Sequence, residues 1–209
     1  MRLKNEHPDL LEFHGVKLIR SRLISLAVLR EIEAGRYEGD EILCALINIS
    51  PEDVVLELGA GIGALSSVVL NRKQAAGWVC VEANSDLIPL IRKNHKLNGL
   101  RNVEVVNAAP GHDRAQTSRD FYVTEDFWDG SLLRPEKFVE VKQAPGLHFG
   151  DMLAKHQPTF IICDIEGGEY DLFSGEIDLS SVRKVCLEAH PAPQDKLDGL
   201  EAFFKKRGF

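Results

Sequence analysis

The sequence lacks any apolar run approaching membrane-spanning length, and its start, Met1-Arg-Leu-Lys-Asn-Glu-His-Pro8, carries charge where a secretory signal carries an apolar stretch. Neither a membrane anchor nor secretion is expected. A basic excess is missing too: 32 acidic residues stand against 25 Lys and Arg, a formal net charge of -7, which argues against general attraction to nucleic acid or an anionic membrane. The four cysteines, Cys44, Cys80, Cys163 and Cys186, sit singly in apolar runs with no C-x-x-C pair, so they read as reduced core residues of a cytoplasmic protein. Repeats, linkers and low-complexity segments are also missing. A single domain over residues 1–209, with 44% hydrophobic residues to build its core, is the simplest organisation.

What the chain does have is Val54-Val-Leu-Glu-Leu-Gly-Ala-Gly-Ile-Gly63, an apolar strand running straight into a glycine-rich turn. In an open α/β sheet such a junction holds a nucleotide-like cofactor, because glycines let the backbone approach the ligand before the next helix begins. The spacing over Gly59, Gly61 and Gly63 is G-x-G-x-G, not the G-x-G-x-x-G of dinucleotide sites. Glu57, just before the glycines, is a poor neighbour for a pyrophosphate and a good one for a cationic ligand.

After an N-terminal arm over residues 1–20, apolar spacing predicts a helix over 21–33, ended by Gly35, and a second over 40–48. Alternation then sets in: strand 54–59, helix 64–73, strand 78–83, helix 86–97 with Ser85 as N-cap and Gly99 beyond its end, and strand 103–108. Later come strand 160–165, helix 169–174, strand 183–189 and helix 194–206, closed by Gly208. Five strands alternating with helices imply an α/β fold, a doubly wound and mainly parallel sheet. Residues 110–158 interrupt the pattern with aromatic and β-branched residues, and they predict a β-hairpin insertion before the fourth strand. A turn is expected at Trp128-Asp129-Gly130-Ser131 and a helix start at Gly150. At the ligand edge of the sheet, the insertion either covers a substrate or only seals the core.

Three further stretches place acids at strand ends. Val81-Glu82-Ala83-Asn84 offers a carboxylate that can accept both hydroxyls of a ribose, although a Glu there can also cap the next helix. In Cys163-Asp-Ile-Glu-Gly-Gly-Glu-Tyr170, Asp164 follows an apolar run and is expected to be partly buried, which demands a partner: a substrate hydroxyl, a metal ion or a helix N-terminus. Glu166 or Glu169 can equally cap the following helix. In Leu187-Glu-Ala-His-Pro191, strand alternation turns Glu188 and His190 to one face, toward Asp164. His190 then reads as a general base or as a structural histidine.

Glu57-Leu-Gly-Ala-Gly-Ile-Gly63 and Val81-Glu-Ala-Asn84 together resemble class I S-adenosylmethionine-dependent methyltransferases. Asp164-Ile-Glu-Gly-Gly-Glu169 and Glu188-Ala-His-Pro191 resemble the FkbM family among them, whose signature is D-x-E-G-x-E. The resemblance covers residues 36–190 or more and implies a Rossmann-like fold with S-adenosylmethionine as cofactor. Carried over by position, it implies that Gly59, Ala60 and Gly61, with Gly63 closing the turn, line the methionine part, and that Glu57 lies near its amino group. Glu82, with Ala83 in the same pocket, would bind the ribose, Asn107 and Ala108 would lie near the adenine, and Asp164 would face the methyl. Glu57 and Gly61 stand where the family often has Asp and Asn. Folds of this kind usually add two more strands, whereas this sequence reaches Gly208-Phe209 where the sixth should begin. With C-terminal strands missing, either the chain is a truncated form or its last parallel strand is an exposed edge, open to pairing as a homo-oligomer.

The expected reaction is O-methylation of a small or sugar-containing hydroxylated molecule, with no nucleic-acid or membrane partner. Asp164 or His190 accepts the hydroxyl proton, while Glu166 and Glu188 position the acceptor or a divalent ion such as Mg²⁺, which no ligand spacing demands. Trp128 offers a face for the acceptor to stack on. Two alternatives are a nicotinamide-dependent oxidoreductase, which also uses a glycine turn and an acid after the second strand, and a non-catalytic module that keeps the fold to bind a partner.

Overall fold

The computed structural model describes residues 9–209, so residues 1–8 of the expected arm lie outside it. The rest of the arm is a hairpin: β1 (Leu10–Phe13) and β2 (Val16–Ile19) pair antiparallel through His14 and Gly15, both left-handed at φ 47° and 88°. That two-residue turn matches the twist of the strands it joins. Leu11, Phe13, Val16 and Leu18 alternate inward and are buried. The free edge of β2 is met by the side-chain oxygens of Asn98 and Asn94, which accept from the N–H groups of Lys17 and Ile19 at 2.9 Å each.

Next come α1 (Leu26–Glu33) and α2 (Gly39–Asn48). The Ser25 hydroxyl accepts from Val28 N at 3.2 Å, so α1 starts later than its apolar spacing implies, and Gly35 follows its end at φ 71°. The alternation is present as expected: β3 (Val54–Leu58), α3 (Ala64–Arg72), β4 (Gly77–Glu82), α4 (Ile88–Leu97) and β5 (Val103–Asn107). Ser85 is not the cap of α4, which begins three residues later. Asn84 Oδ1 accepts from Asp86 N at 3.1 Å in the intervening turn, and Pro89, having no N–H to leave unsatisfied, sits in the first helical turn.

Within the insertion, β6 (Ala109–Gly111), β7 (Ser118–Val123) and β8 (Glu140–His148) form a small sheet in the order β6-β8-β7, where β7 and β8 are the expected antiparallel hairpin. The turn expected at 128–131 does not join the two strands. Phe127–Asp129 form a 3₁₀ turn inside a longer connection, and Ser131 bridges back to Tyr122. After α5 (Phe149–His156) come β9 (Phe160–Cys163), α6 (Glu169–Leu172), β10 (Lys184–Leu187) and α7 (Gln194–Lys205).

The central sheet has the order β10-β9-β3-β4-β5 with every pair parallel, a Rossmann-like α/β arrangement. Val55, Trp78, Cys80 and Ile162 face a core shared with α1, α3, α4 and the N-terminal hairpin, while Leu56, Leu58, Val79 and Ile161 face one shared with α5, α6 and α7. The winding reverses at β3, so the C-terminal ends of β3 and β9 flank the crevice where ligands bind in such sheets. Among the described residues no strand extends the sheet beyond β10. All four cysteines are free, and no described helix is long and apolar enough to cross a membrane.

The opposite end of β3 is fixed by Asp53, which is fully buried. Its carboxylate accepts from Ser50 N and Oγ and from Thr159 Oγ1 at 2.8 Å each, from Arg183 at 3.1 Å, and from Lys184. Burial opposes its charge, but the bonds from Lys184, Ser50 and Thr159 outweigh it and hold the carboxyl below the usual range.

Candidate active site

The glycine turn is tied down on both sides. Gly59 N and Ala60 N donate to Val81 O at 3.0 and 3.1 Å, joining the turn to β4. Gly61 N donates to Glu82 Oε2 at 2.9 Å, and Asn84 N to Glu82 Oε1 at 2.7 Å. Burial pushes the Glu82 carboxyl up to about 7, against the lowering effect of those two N–H groups. Both oxygens retain a lone pair for a further donor.

Above the turn lies a cleft of about 720 Å³, its open mouth included. Gly59, Gly61, Glu82, Ala83 and Ala108 line it, with Trp128 from the insertion and Asp164 and Glu166 from beyond β9. Four other residues expected at the cofactor are placed elsewhere. Ala60 is buried in the core beside the turn. Gly63 faces α4, where an added Cβ would meet His95 Nε2 and Ile91 Cγ2 at 2.9 Å, so its missing side chain serves helix packing. Asn107 turns its amide onto the carbonyls of Glu82 and Ala83 at 2.8 and 3.0 Å and braces the wall from behind. Glu57 points into the α3 side of the core because its position alternates with Leu56 and Leu58. Its Oε2 accepts from Trp78 Nε1 at 2.6 Å and from Cys80 Sγ at 2.9 Å, and burial pushes it up to about 7.

The acid that does face the cleft is Glu38, which the sequence pattern did not reveal. It precedes α2 in the left-handed region at φ 49° and makes no cap bond there, reaching instead to Leu65 N at the start of α3, 3.1 Å away. Its neighbour Tyr37, 5% exposed, lines the same cleft and stacks on Trp128 with ring centroids 6.2 Å apart at 19°. No motif marks this pair. Only the unfavourable backbone of a non-glycine at positive φ does, and that is invisible in sequence.

Beyond β9 and β10 the acids gather around His190. Its Nε2 lies 3.2 Å from Glu166 Oε2 and 3.5 Å from Asp164 Oδ1, and its Nδ1 lies 3.4 Å from Glu169 Oε1, which also accepts from His190 N at 2.9 Å. Contacts with Glu166 and Glu169 push the imidazole up to about 11, favouring its charged form. The expected role of His190 as a general base requires the neutral ring, which these acids disfavour. Burial, then the charges of Glu188 and Glu166, push the Asp164 carboxyl up to about 7. Its Oδ1 is buried with no hydrogen-bond partner among the described residues. Asp164, Glu166 and His190 offer ligand atoms within 4.8 Å of one another, a donor set that could hold a divalent ion.

Residues 57–209, well over half the chain, match the family model described as the methyltransferase FkbM domain. Among curated proteins, the ribosomal RNA small subunit methyltransferase A of Alkaliphilus metalliredigens (strain QYMF) is 37% identical over 60 residues, 29% of this chain and only 20% of the relative's length. Among solved structures, precorrin-6y C5,15-methyltransferase from Geobacter metallireducens GS-15 aligns over 83% of this chain and 71% of its own at 16% identity and a TM-score of 0.48. A dimethyladenosine transferase from Plasmodium falciparum is 31% identical over 32% of this chain and 23% of its own, with a TM-score of 0.28. The family match takes in the glycine turn, Glu82, the Asp164–Glu169 segment and His190 together, and the chain belongs to the FkbM methyltransferase family.

Proposed function

We propose that this chain is an S-adenosylmethionine-dependent O-methyltransferase acting on a hydroxyl of a small or sugar-containing molecule. The observation that carries the proposal is the pairing, across one cleft, of the glycine turn clamped to Glu82 with the half-buried Asp164. The residues fit the cofactor chemically. Glu82 can accept from a ribose diol, Glu38 suits an ammonium, and Gly61 brings backbone against the cleft where a side chain would run into the Tyr37 hydroxyl at 2.8 Å. When bound, the cofactor supplies an electrophilic methyl on a cationic sulfur.

The chain's own work is then to orient the acceptor, exclude water and take up a proton. Asp164, near 7, is ionised enough at neutral pH to accept the hydroxyl proton and basic enough to draw it. His190, beside Glu166 at 3.2 Å, sets a positive charge 3.5 Å from Asp164 Oδ1 that favours the carboxylate. Phe121, Phe127 and Trp128 close the cleft from the insertion. A cytoplasmic setting belongs to the same proposal, supported by four free cysteines.

A nucleic-acid acceptor, which the name of the ribosomal RNA relative suggests, is opposed by the carboxylates around the cleft and by the net charge of -7. The test is conversion of S-adenosylmethionine to S-adenosylhomocysteine with a panel of hydroxylated small molecules and with RNA. Methylation of a hydroxyl in the first panel, lost in Asp164→Asn, supports the proposal. Turnover with RNA alone, or an undiminished Asp164→Asn variant, refutes it.

A further inference from the structure

This inference rests on the methyltransferase reading and concerns the acceptor side of the same site. The acid turn after β9 has an uncommon backbone: Glu166 stands in the left-handed region at φ 49°, followed by Gly167 at φ 85°. A glycine takes such a conformation freely, whereas a residue with a Cβ settles there where its surroundings offset the strain. What holds Glu166 is Ser131, in the connection between β7 and β8, which donates its hydroxyl to Glu166 O at 2.7 Å. Among the described residues no other donor is bonded to that oxygen.

Ser131 is itself fixed, and it is only 6% exposed. Its N–H donates to Tyr122 O at 3.1 Å, and its carbonyl accepts from Tyr122 N at 2.8 Å, so the residue is pinned to β7. The hydroxyl accepts from Leu133 N at 3.0 Å, which leaves its proton to point at Glu166. Both flanks are packed as well. A Cβ added to Gly130 would meet Phe121 Cζ at 2.6 Å, and one added to Gly167 would meet Leu133 Cδ1 at 3.0 Å.

The contact sets the direction of the Glu166 carboxylate. Its Oε2 is the acid oxygen nearest the His190 ring, 3.2 Å from Nε2, against 3.4 Å for Glu169 Oε1 at Nδ1 and 3.5 Å for Asp164 Oδ1 at Nε2. Rotating residue 166 out of the left-handed region would redirect its Cβ and take the carboxylate off the ring. Ser131 does not line the cleft, although its neighbours Gly130 and Leu132 do, so any effect of its hydroxyl on the acids passes through Glu166.

We propose that Ser131 is a positioning residue for methyl transfer: its hydroxyl fixes the backbone of Glu166 and thereby keeps the Glu166 carboxylate on His190, beside Asp164. The insertion then does more than cover the cleft. Its seating decides where the groups that face the acceptor stand.

The experiment is nitrogen NMR of the purified chain carrying ¹⁵N-labelled histidine and loaded with S-adenosylhomocysteine, with His190→Gln identifying the His190 signals among the seven histidines. In Ser131→Ala the His190 Nε2 resonance should move in the direction set by Glu166→Gln and at least half as far. Ser131→Cys, whose S–H is a weaker donor, should move it the same way, and Ser131→Thr, which keeps the hydroxyl, should leave it near the wild-type position. The double variant Ser131→Ala/Glu166→Gln should match Glu166→Gln alone, because the first change acts through the side chain that the second removes. Affinity for S-adenosylhomocysteine should stay within a few-fold in every variant, as proof of folding. A resonance left in place by Ser131→Ala or by Glu166→Gln, a displacement in Ser131→Thr equal to that in Ser131→Ala, or a further displacement in the double variant would overturn the positioning role. Failure of the wild type to bind S-adenosylhomocysteine would overturn the methyltransferase reading instead, and the same spectra of the unloaded chain would still decide whether Ser131 places Glu166.

Discussion

A Cβ added to Gly59 would sit 1.7 Å from the backbone oxygen of Asp164. Asp164 N also donates to Leu58 O at 3.0 Å, so the turn on the donor side and the acid on the acceptor side are one packed unit. The contact crosses from β3 to β9 at the point where the winding of the sheet reverses, and it leaves no room for any other residue at position 59.

Gly59→Ala should therefore damage both halves at once. With φ at 84° and backbone in the way, the substitution should lower stability by about 2–3 kcal/mol and weaken S-adenosylhomocysteine binding at least tenfold. Gly39→Ala is the control. An added Cβ there meets nothing within 4 Å, and stability should change by no more than about 1 kcal/mol. Urea denaturation and cofactor titration read both effects.

Asp164→Asn keeps the shape of the side chain and removes its ability to take a proton. Turnover should fall by about 10²–10⁴-fold, the usual worth of a positioned general base, while S-adenosylhomocysteine affinity stays within a few-fold. Equal losses in both would make Asp164 a structural residue.

The pH dependence follows from the sign of the same shift. Asp164 must be ionised to act and is pushed up to about 7, so kcat/KM should rise with pH through an apparent pKa near 7 and level off above it. Glu188 is the first charge, after burial, that raises Asp164, so Glu188→Gln should move this limb to lower pH. An unmoved limb would mean that another group titrates.

Stability at low pH tests the far end of β3. Asp53 is held below its ordinary value, so its stabilising contribution is present above about pH 4, the unfolded value, and is lost as pH falls toward the folded one. Asp53→Ala removes the buried acceptor shared by Ser50, Thr159 and Lys184 and should destabilise the fold by about 1–3 kcal/mol at neutral pH, with the deficit shrinking in acid. Thermal melts of both proteins from pH 7 to pH 3 give the comparison.

The fold was legible wherever the signal is local. Strand β3, its glycine turn and the helices after it follow from apolar period and turn chemistry within some fifteen residues. The hairpin β1–β2 was not, because its edge is completed by Asn94 and Asn98, far away along the chain. At the site, the acids at the ends of β4 and β9 were legible as strand-end carboxylates. Glu57 was misplaced because its strand alternation turns it toward Trp78 and Cys80, away from the ligand edge. The environment of His190 was not legible either, because Glu166 and Glu169 reach its ring from opposite sides, tertiary contacts that strand alternation alone does not define.

The identity of the cofactor is tested by parallel calorimetric titration of the wild type and Glu82→Ala with S-adenosylhomocysteine and with NAD. The wild type should bind S-adenosylhomocysteine one to one, Glu82→Ala should bind it at least tenfold more weakly, and neither should bind NAD. Tighter binding of NAD than of S-adenosylhomocysteine, or an S-adenosylhomocysteine affinity untouched by the loss of Glu82, would contradict that identity.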